Sequence, residues 1–302
     1  MRRCFIPIAV VTAALAMATP AAAITGGEPD AGEHPYVALM QAYDENNVPI
    51  QVCTGALLSP KLFLTAGHCV GAPHAASHAE VFFVEDIFSV FDIDYILALV
   101  LDPNFNGSCN YSPKFDGYPC QGDAGGTPHA HPDYCFECRT GMLRQVTRDV
   151  AVVTLDEAVP VSKVSEYAQL PQPRQVDRLP NRSLIDLVGY GVKYQRDLPG
   201  SVTQKPPPFF RWDGAGTRAR TAAELVAGSF ESSDQRIRLT TNDDEDTGGM
   251  CFGDSGGPDL IHQTDTVVAV NSYVTNYNCK GVVYSERVDR PEVLAWIGGF
   301  MK

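Results

Sequence analysis

From Pro35 onward the apolar positions come in short runs, Tyr36 to Met40, Val52 to Leu58 and Leu62 to Ala66, broken by Gly, Pro and Asn. Runs this short between turn formers predict strands, and hence an all-β barrel or sandwich. Similar runs return at Asp149 to Leu155, Leu184 to Gly191, Thr221 to Gly228, Gln235 to Thr240 and Val282 to Val288. The period changes only at the end. Pro291 opens a stretch in which Val293, Leu294, Trp296, Ile297 and Phe300 recur at helical spacing. That spacing predicts a terminal amphipathic helix with these residues as core, docked on the second half of the chain.

The first 23 residues read differently. Arg2 and Arg3 precede an apolar run from Phe5 to Met17, and Ala21-Ala22-Ala23 supplies small residues before Ile24. This is the pattern of a secretory signal removed at Ala23. The run is short for a bilayer, and no later stretch offers about 18 uncharged apolar residues, so an exported chain without a membrane anchor is expected. The whole chain carries a net charge of −13. Both arginines of the signal leave with it and no acid does, so residues 24–302 are more acidic still, which argues against nucleic acid or an anionic membrane as partner. Their length suits one large domain or two small packed ones. Eight of the nine cysteines lie after the signal, at 53, 69, 109, 120, 135, 138, 251 and 279. An even number in an exported chain predicts disulfides.

The candidate chemistry centres on Cys251-Phe252-Gly253-Asp254-Ser255-Gly256-Gly257-Pro258. A serine between glycines sits in a turn that can aim two backbone N–H groups at one point, as an oxyanion hole requires. A serine hydroxyl also needs a base and a group that orients the base. Thr65-Ala66-Gly67-His68-Cys69 supplies an imidazole, Asp149-Val150-Ala151-Val152-Val153-Thr154-Leu155 an acid, and Ile24-Thr25-Gly26-Gly27 opens the chain after the signal.

In this order the four segments resemble the secreted serine proteases of the chymotrypsin/trypsin family, from Ile24 to the end apart from insertions. The resemblance implies two packed six-stranded Greek-key β-barrels with a C-terminal α-helix. The first barrel would span about 24–160 and the second about 175–302. Ser255 would be the nucleophile, His68 the base and Asp149 its orienting acid, with the N–H groups of Gly253 and Ser255 as oxyanion hole. Asp94, also ahead of an apolar run, competes with Asp149, but Asp149 opens the better match and follows the family-like His131-Pro132-Asp133-Tyr134. Bridges Cys53–Cys69 and Cys251–Cys279 are implied. So is a pairing of the new Ile24 amino terminus with Asp254. Because the signal ends directly before Ile24, export itself would create that terminus, with no separate propeptide. The pocket floor would be Gly249, six before Ser255, where no acid is available for basic side chains. Its wall would be Ser272, Tyr273 and Val274, and Val274 stands where open pockets have glycine. Small or medium apolar P1 residues are therefore expected.

The departure from the family is the 81-residue interval between His68 and Asp149, whose excess lies in about 102–144. This stretch reads as a cysteine-rich insertion holding Cys109, Cys120, Cys135 and Cys138, which allow three pairings. His129, His131, Cys135 and Cys138 have metal-like spacing, but an oxidising compartment favours disulfides, and no metal or other cofactor is expected. The acidic run Asp243-Asp244-Glu245-Asp246 reads as solvated surface rather than a calcium loop. Asn106, Asn110 and Asn181 fit the glycosylation pattern. The expected function is a monomeric, secreted serine endopeptidase acting on proteins or peptides. The alternative is a catalytically inert homologue that binds proteins. A serine esterase of the α/β-hydrolase type has the wrong triad order.

Overall fold

The computed structural model describes residues 24–73, 75–89, 122–136, 146–192, 194–196, 211–213, 216–227, 235–241, 247–276 and 279–301. The signal segment, Asp94, Asn106, Asn110, Cys109, Cys120, Cys138, residues 197–210 and the acidic run lie outside the described residues.

Six strands close the first barrel: β2 (Val37–Tyr43), β3 (Pro49–Ser59), β4 (Leu62–Thr65), β5 (His78–Phe82), β6 (Ala124–Ala130) and β7 (Ala151–Leu155), in the order β2-β3-β4-β7-β6-β5. The chain leaves β4, returns beside β2 as β5, and reaches β4 again only at β7, a Greek-key path. All seven residues of β2 are buried, because one face fills the barrel and the other is covered. The segment therefore reads as a nearly continuous apolar run, broken by Gln41, and not as an alternating one.

The second barrel closes through β8 (Leu184–Gly189), β11 (Ala219–Leu225), β12 (Arg236–Thr240), β15 (Val282–Arg287), β14 (Val267–Val274) and β13 (Pro258–Ile261). The short β1 (Glu28–Pro29) adds to the outside of β11, and β9 (Tyr194–Arg196) pairs with β10 (Arg211–Asp213) as a separate ribbon. Ile185, Leu187, Ile237, Leu239 and Val283 make its core.

Two sequence expectations are corrected. Ala124–Ala130, inside the stretch read as an insertion, is barrel strand β6. Its composition, Ala-Gly-Gly-Thr-Pro-His-Ala, hides it. The barrel needs Gly126 there, since a Cβ would meet Thr154 O at 2.3 Å, and Pro128 lies beyond the residues that pair with β5, where no ladder donor is missed. The terminal helix α1 (Pro291–Gly298) buries Val293 and Ile297, as expected, but in a cluster that draws on both barrels rather than on the second alone. Trp296 packs on His131 at 4.9 Å and Phe300 on His129 at 5.1 Å. Both histidines, candidates for a metal, are thus a docking surface for the helix, and burial pulls both below the ordinary imidazole pKa, which keeps the rings neutral. Cys135 is disulfide-bonded, to a partner outside the described residues.

Candidate active site

His68 sits on the single 3-10 turn Gly67–Cys69 that ends β4. The Cys53–Cys69 disulfide ties this turn to β3. Tyr134 lies over it. A Cβ on Gly67 or Gly71 would strike the Tyr134 ring at 2.5 and 2.4 Å, and the phenol donates to Ala72 O at 3.0 Å. Glycines on either side of the imidazole therefore let one aromatic ring clamp the turn.

Asp149 stands immediately before β7, fully buried. Its Oδ1 accepts the backbone N–H of His68 at 2.7 Å, and its Oδ2 lies 2.9 Å from His68 Nδ1. Both bonds go to one residue, so the carboxylate fixes the histidine's backbone and ring together. Ser272 Oγ donates to the same Oδ2 at 2.5 Å. This contact joins β14 of the second barrel to the acid of the first. It crosses 123 positions, and sequence reasoning placed Ser272 only in the pocket wall. Burial disfavours the charged forms of both His68 and Asp149, yet their mutual attraction and hydrogen bond outweigh it. The imidazole is held above its ordinary pKa and the carboxyl below.

Ser255 lies in the loop between Cys251 and β13, which the Cys251–Cys279 disulfide fastens. The carbonyls of this loop are taken in turn: Phe252 O accepts Val192 N–H at 2.9 Å, and Asp254 O accepts Gly257 N–H at 2.9 Å. In a trans peptide the N–H points opposite its C=O. Fixing those two carbonyls inward turns the N–H groups of Gly253 and Ser255 the other way, and neither has a partner among the described residues. Gly253, at φ +99°, adopts a conformation reserved for glycine.

His68 and Ser255 line one cavity of about 670 Å³, without a direct hydrogen bond between their side chains. Met250, Cys251, Phe252 and the edge from Ser272 to Asn276 complete its wall. Tyr273 stacks on Tyr284 at 4.9 Å, so the wall is braced from behind. Gly249, expected as the floor, is not part of the lining. It is buried beneath Met250 in a two-way backbone pairing with Thr25, and a Cβ there would meet Thr241 at 2.3 Å. That pairing brings the Ile24 segment under the serine loop, with Ile24 itself fully buried against Ala219. Asp254, also fully buried, accepts N–H bonds from Gly191 and Cys251, each at 2.7 Å. Burial nevertheless pushes its carboxyl up to about 7, which the two N–H groups only partly offset. Among the described residues the tightest His/Cys/Asp/Glu grouping is Cys53, His68 and Cys69, and its sulfurs are locked in a disulfide, so it is no ligand set.

Two closed six-stranded antiparallel barrels with a C-terminal helix, meeting at a crevice of this kind, define the trypsin-like fold. The chain belongs to the trypsin family, whose sequence model matches residues 23–297. It is similar to the chymotrypsin-like elastase family member 3B of Macaca mulatta, at 23% identity over 251 residues, covering 78% of this chain and 77% of the relative. Among solved structures, the HL collagenase aligns with TM-score 0.57 and 18% identity, covering 93% of this chain and 97% of its own. A mutant of human heparin binding protein aligns with TM-score 0.59 and 14% identity, covering 92% and 96%.

Proposed function

We propose that the protein is a secreted serine endopeptidase that cleaves peptide bonds through an acyl-enzyme. The observation that carries this reading is the buried Asp149 carboxylate, which holds His68 by backbone and ring at once in the cavity shared with Ser255. With its Nδ1–H donating a hydrogen bond to the Asp149 carboxylate, the imidazole presents Nε2 as a base. It takes the Ser255 proton as Oγ attacks the scissile carbonyl, then returns it to the leaving amine. The developing oxyanion is received by the Gly253 and Ser255 N–H groups. Water repeats the sequence to release the acid. The absent Ser255–His68 bond fits a substrate-free site, where such bonds lengthen. Val274 and Met250 narrow the cavity and support a preference for small or medium apolar P1 residues.

Release of Ile24 is part of the reading. In the uncut chain Ile24 has φ +69°, a left-handed value that a β-branched residue adopts at a cost. Cleavage after Ala23 abolishes that torsion, and the new ammonium would give the Asp254 carboxylate a cationic partner. Resemblance to heparin binding protein, a family member named for binding, supports the second reading, an inert homologue acting through its surface.

The deciding experiment incubates protein beginning at Ile24, its Ser255→Ala variant and a form retaining one residue before Ile24 with a mixed peptide library, with cleavage read by mass spectrometry. Cuts by the first alone, after Ala, Val or similar residues, are expected. Absence of Ser255-dependent cuts from folded protein beginning at Ile24 selects the inert homologue. Cuts after Arg or Lys discard the pocket assignment.

A further inference from the structure

Three successive N–H groups at the end of β8 hold the serine loop. Val192 N–H reaches Phe252 O at 2.9 Å, Gly191 N–H reaches Asp254 Oδ1 at 2.7 Å, and Tyr190 N–H reaches Thr54 Oγ1 at 3.2 Å. The first two contact the loop directly. The third goes through a side chain of the other barrel: Thr54, on β3, donates the same hydroxyl to Gly253 O at 2.8 Å. Thr54 is fully buried, and its main chain takes part as well. Its N–H bonds Ser255 O at 2.8 Å, and its carbonyl accepts the Thr65 hydroxyl at 2.8 Å. Gly256 is pressed so closely against this strand that a Cβ would meet Thr65 Oγ1 at 2.1 Å and Thr54 O at 2.5 Å.

We infer that Thr54 is a positioning residue for the oxyanion site, its hydroxyl fixing the Gly253–Asp254 peptide so that the N–H groups of Gly253 and Ser255 stay aimed into the cavity. The inference rests on the hydrolytic reading above. Asp254 N–H bonds Cys251 O at 3.1 Å, so the Gly253–Asp254 peptide plane is gripped at its N–H edge by the loop itself and at its C=O edge by Thr54. Gly253 has no side chain to hold its torsion, since glycine crosses between φ signs freely. Release of the carbonyl edge leaves that plane free to turn, and the aim of the adjoining N–H groups turns with it. A buried hydroxyl can accept from Tyr190 N–H and donate to Gly253 O at once, which a methyl group of similar size cannot. Because the donor sits on the first barrel, the nucleophile loop of the second is also kept in register with His68, which follows β4 beside β3.

The test compares protein beginning at Ile24 with its Thr54→Val and Thr54→Ser variants, assayed well below their melting temperatures on one cleaved peptide. Thr54→Val is expected to lower kcat by about tenfold to a hundredfold, somewhat less than loss of an oxyanion donor itself, with KM within about twofold. Affinity for a peptide boronate, which forms a tetrahedral adduct on Ser255, is expected to fall by the same factor, while affinity for the product peptide holds. Thr54→Ser, which keeps the hydroxyl, is expected to recover most of kcat. Thr54→Ala carries the same expectation as valine if the valine variant does not fold. Unchanged kcat in the hydroxyl-free variant, or a loss shared equally by KM and product binding, overturns the inference alone. Wild-type protein without Ser255-dependent cleavage overturns the hydrolytic reading and this inference with it.

Discussion

The two barrels share a strand plan but not an interior. In the first, the buried polar strand residues Gln41, Thr54, Thr65 and Glu80 are each hydrogen-bonded, and the apolar side chains belong to one cluster that continues into the second barrel at Val188, Leu260, Val267 and Val270. In the second, Asp259 lies opposite Leu187 and Ala269, Asn271 opposite Ser285, and Ser285 opposite Ile237. Residues directly opposite share a face, and Leu187, Ala269 and Ile237 are core, so three polar side chains project into the second barrel's interior. Neither polar atom of the Asn271 side chain has a hydrogen-bond partner among the described residues. No Lys, Arg or His among them pairs with Asp259, whose carboxyl burial pushes up to about 7, with Ser285 only partly offsetting it. These residues flank the chemistry: Asp259 is four after Ser255, and Asn271 precedes Ser272 and holds Gly256 and Gly257 through its main chain. The barrel that holds His68 and Asp149 is a platform whose buried Gln41, Thr54, Thr65 and Glu80 are bonded, whereas the barrel that carries Ser255 leaves the Asn271 side chain without a partner among the described residues.

The largest effect should come from the platform. Asp149→Asn is expected to lower kcat about ten-thousandfold, the loss this family's triad shows for that change, with little change in melting temperature. In the unmutated protein kcat/KM should rise with pH through an apparent pKa above the ordinary histidine value, because Asp149 favours the imidazolium and only the neutral ring is a base. A pH profile with its limb at or below that value would break the assignment.

Next in size is a stability effect from the second barrel. The folded Asp259 holds its proton to about pH 7, whereas an unfolded chain releases it near 3.8. The native state therefore binds more protons across that window, and stability falls as pH rises through it, by about 1.4 kcal/mol per pH unit at most. Asp259→Val should raise stability by about 1–3 kcal/mol at pH 8 and far less at pH 5. Urea melts at the two values measure this, and an equal gain at both would show that the carboxylate is not the source. The smallest effect concerns the cavity wall. Val274→Gly should favour peptides with a large P1 residue by about 10- to 100-fold in kcat/KM relative to alanine at P1, within the range that one or a few methyl groups command. No change in that ratio would remove Val274 from the specificity wall.

Much of this was legible in the sequence, and for particular reasons. His68, Asp149 and Ser255 stood out because each lies in a turn or strand start whose neighbours are fixed by local geometry: Gly67 under Tyr134, Gly253 at positive φ, Gly256 against β3. The Cys53–Cys69 and Cys251–Cys279 bridges followed from the resemblance. Strand β6 was hidden because its glycines and proline answer to close strand approach and not to strand propensity. The helix was recognised by its period, but its docking partner was not, since period says which face is apolar and nothing about what covers it. Thr54, an ordinary threonine on a buried strand, gave no signal, and Ser272 gave one only for the pocket wall and none for its bond to Asp149.

The sequence alone determined the short apolar runs that make strands, the helical period at the end, and the order of the histidine, aspartate and serine segments. These are local matters, set by side-chain alternation, turn residues and glycine. Tertiary structure alone decided what crosses between barrels: Ser272 onto Asp149, Thr54 onto Gly253, α1 onto β6, and Thr25 beneath Met250. A hydrogen bond reaches about 3 Å, so its partners are chosen by where two closed barrels bring their surfaces together, and no spacing along the chain encodes that.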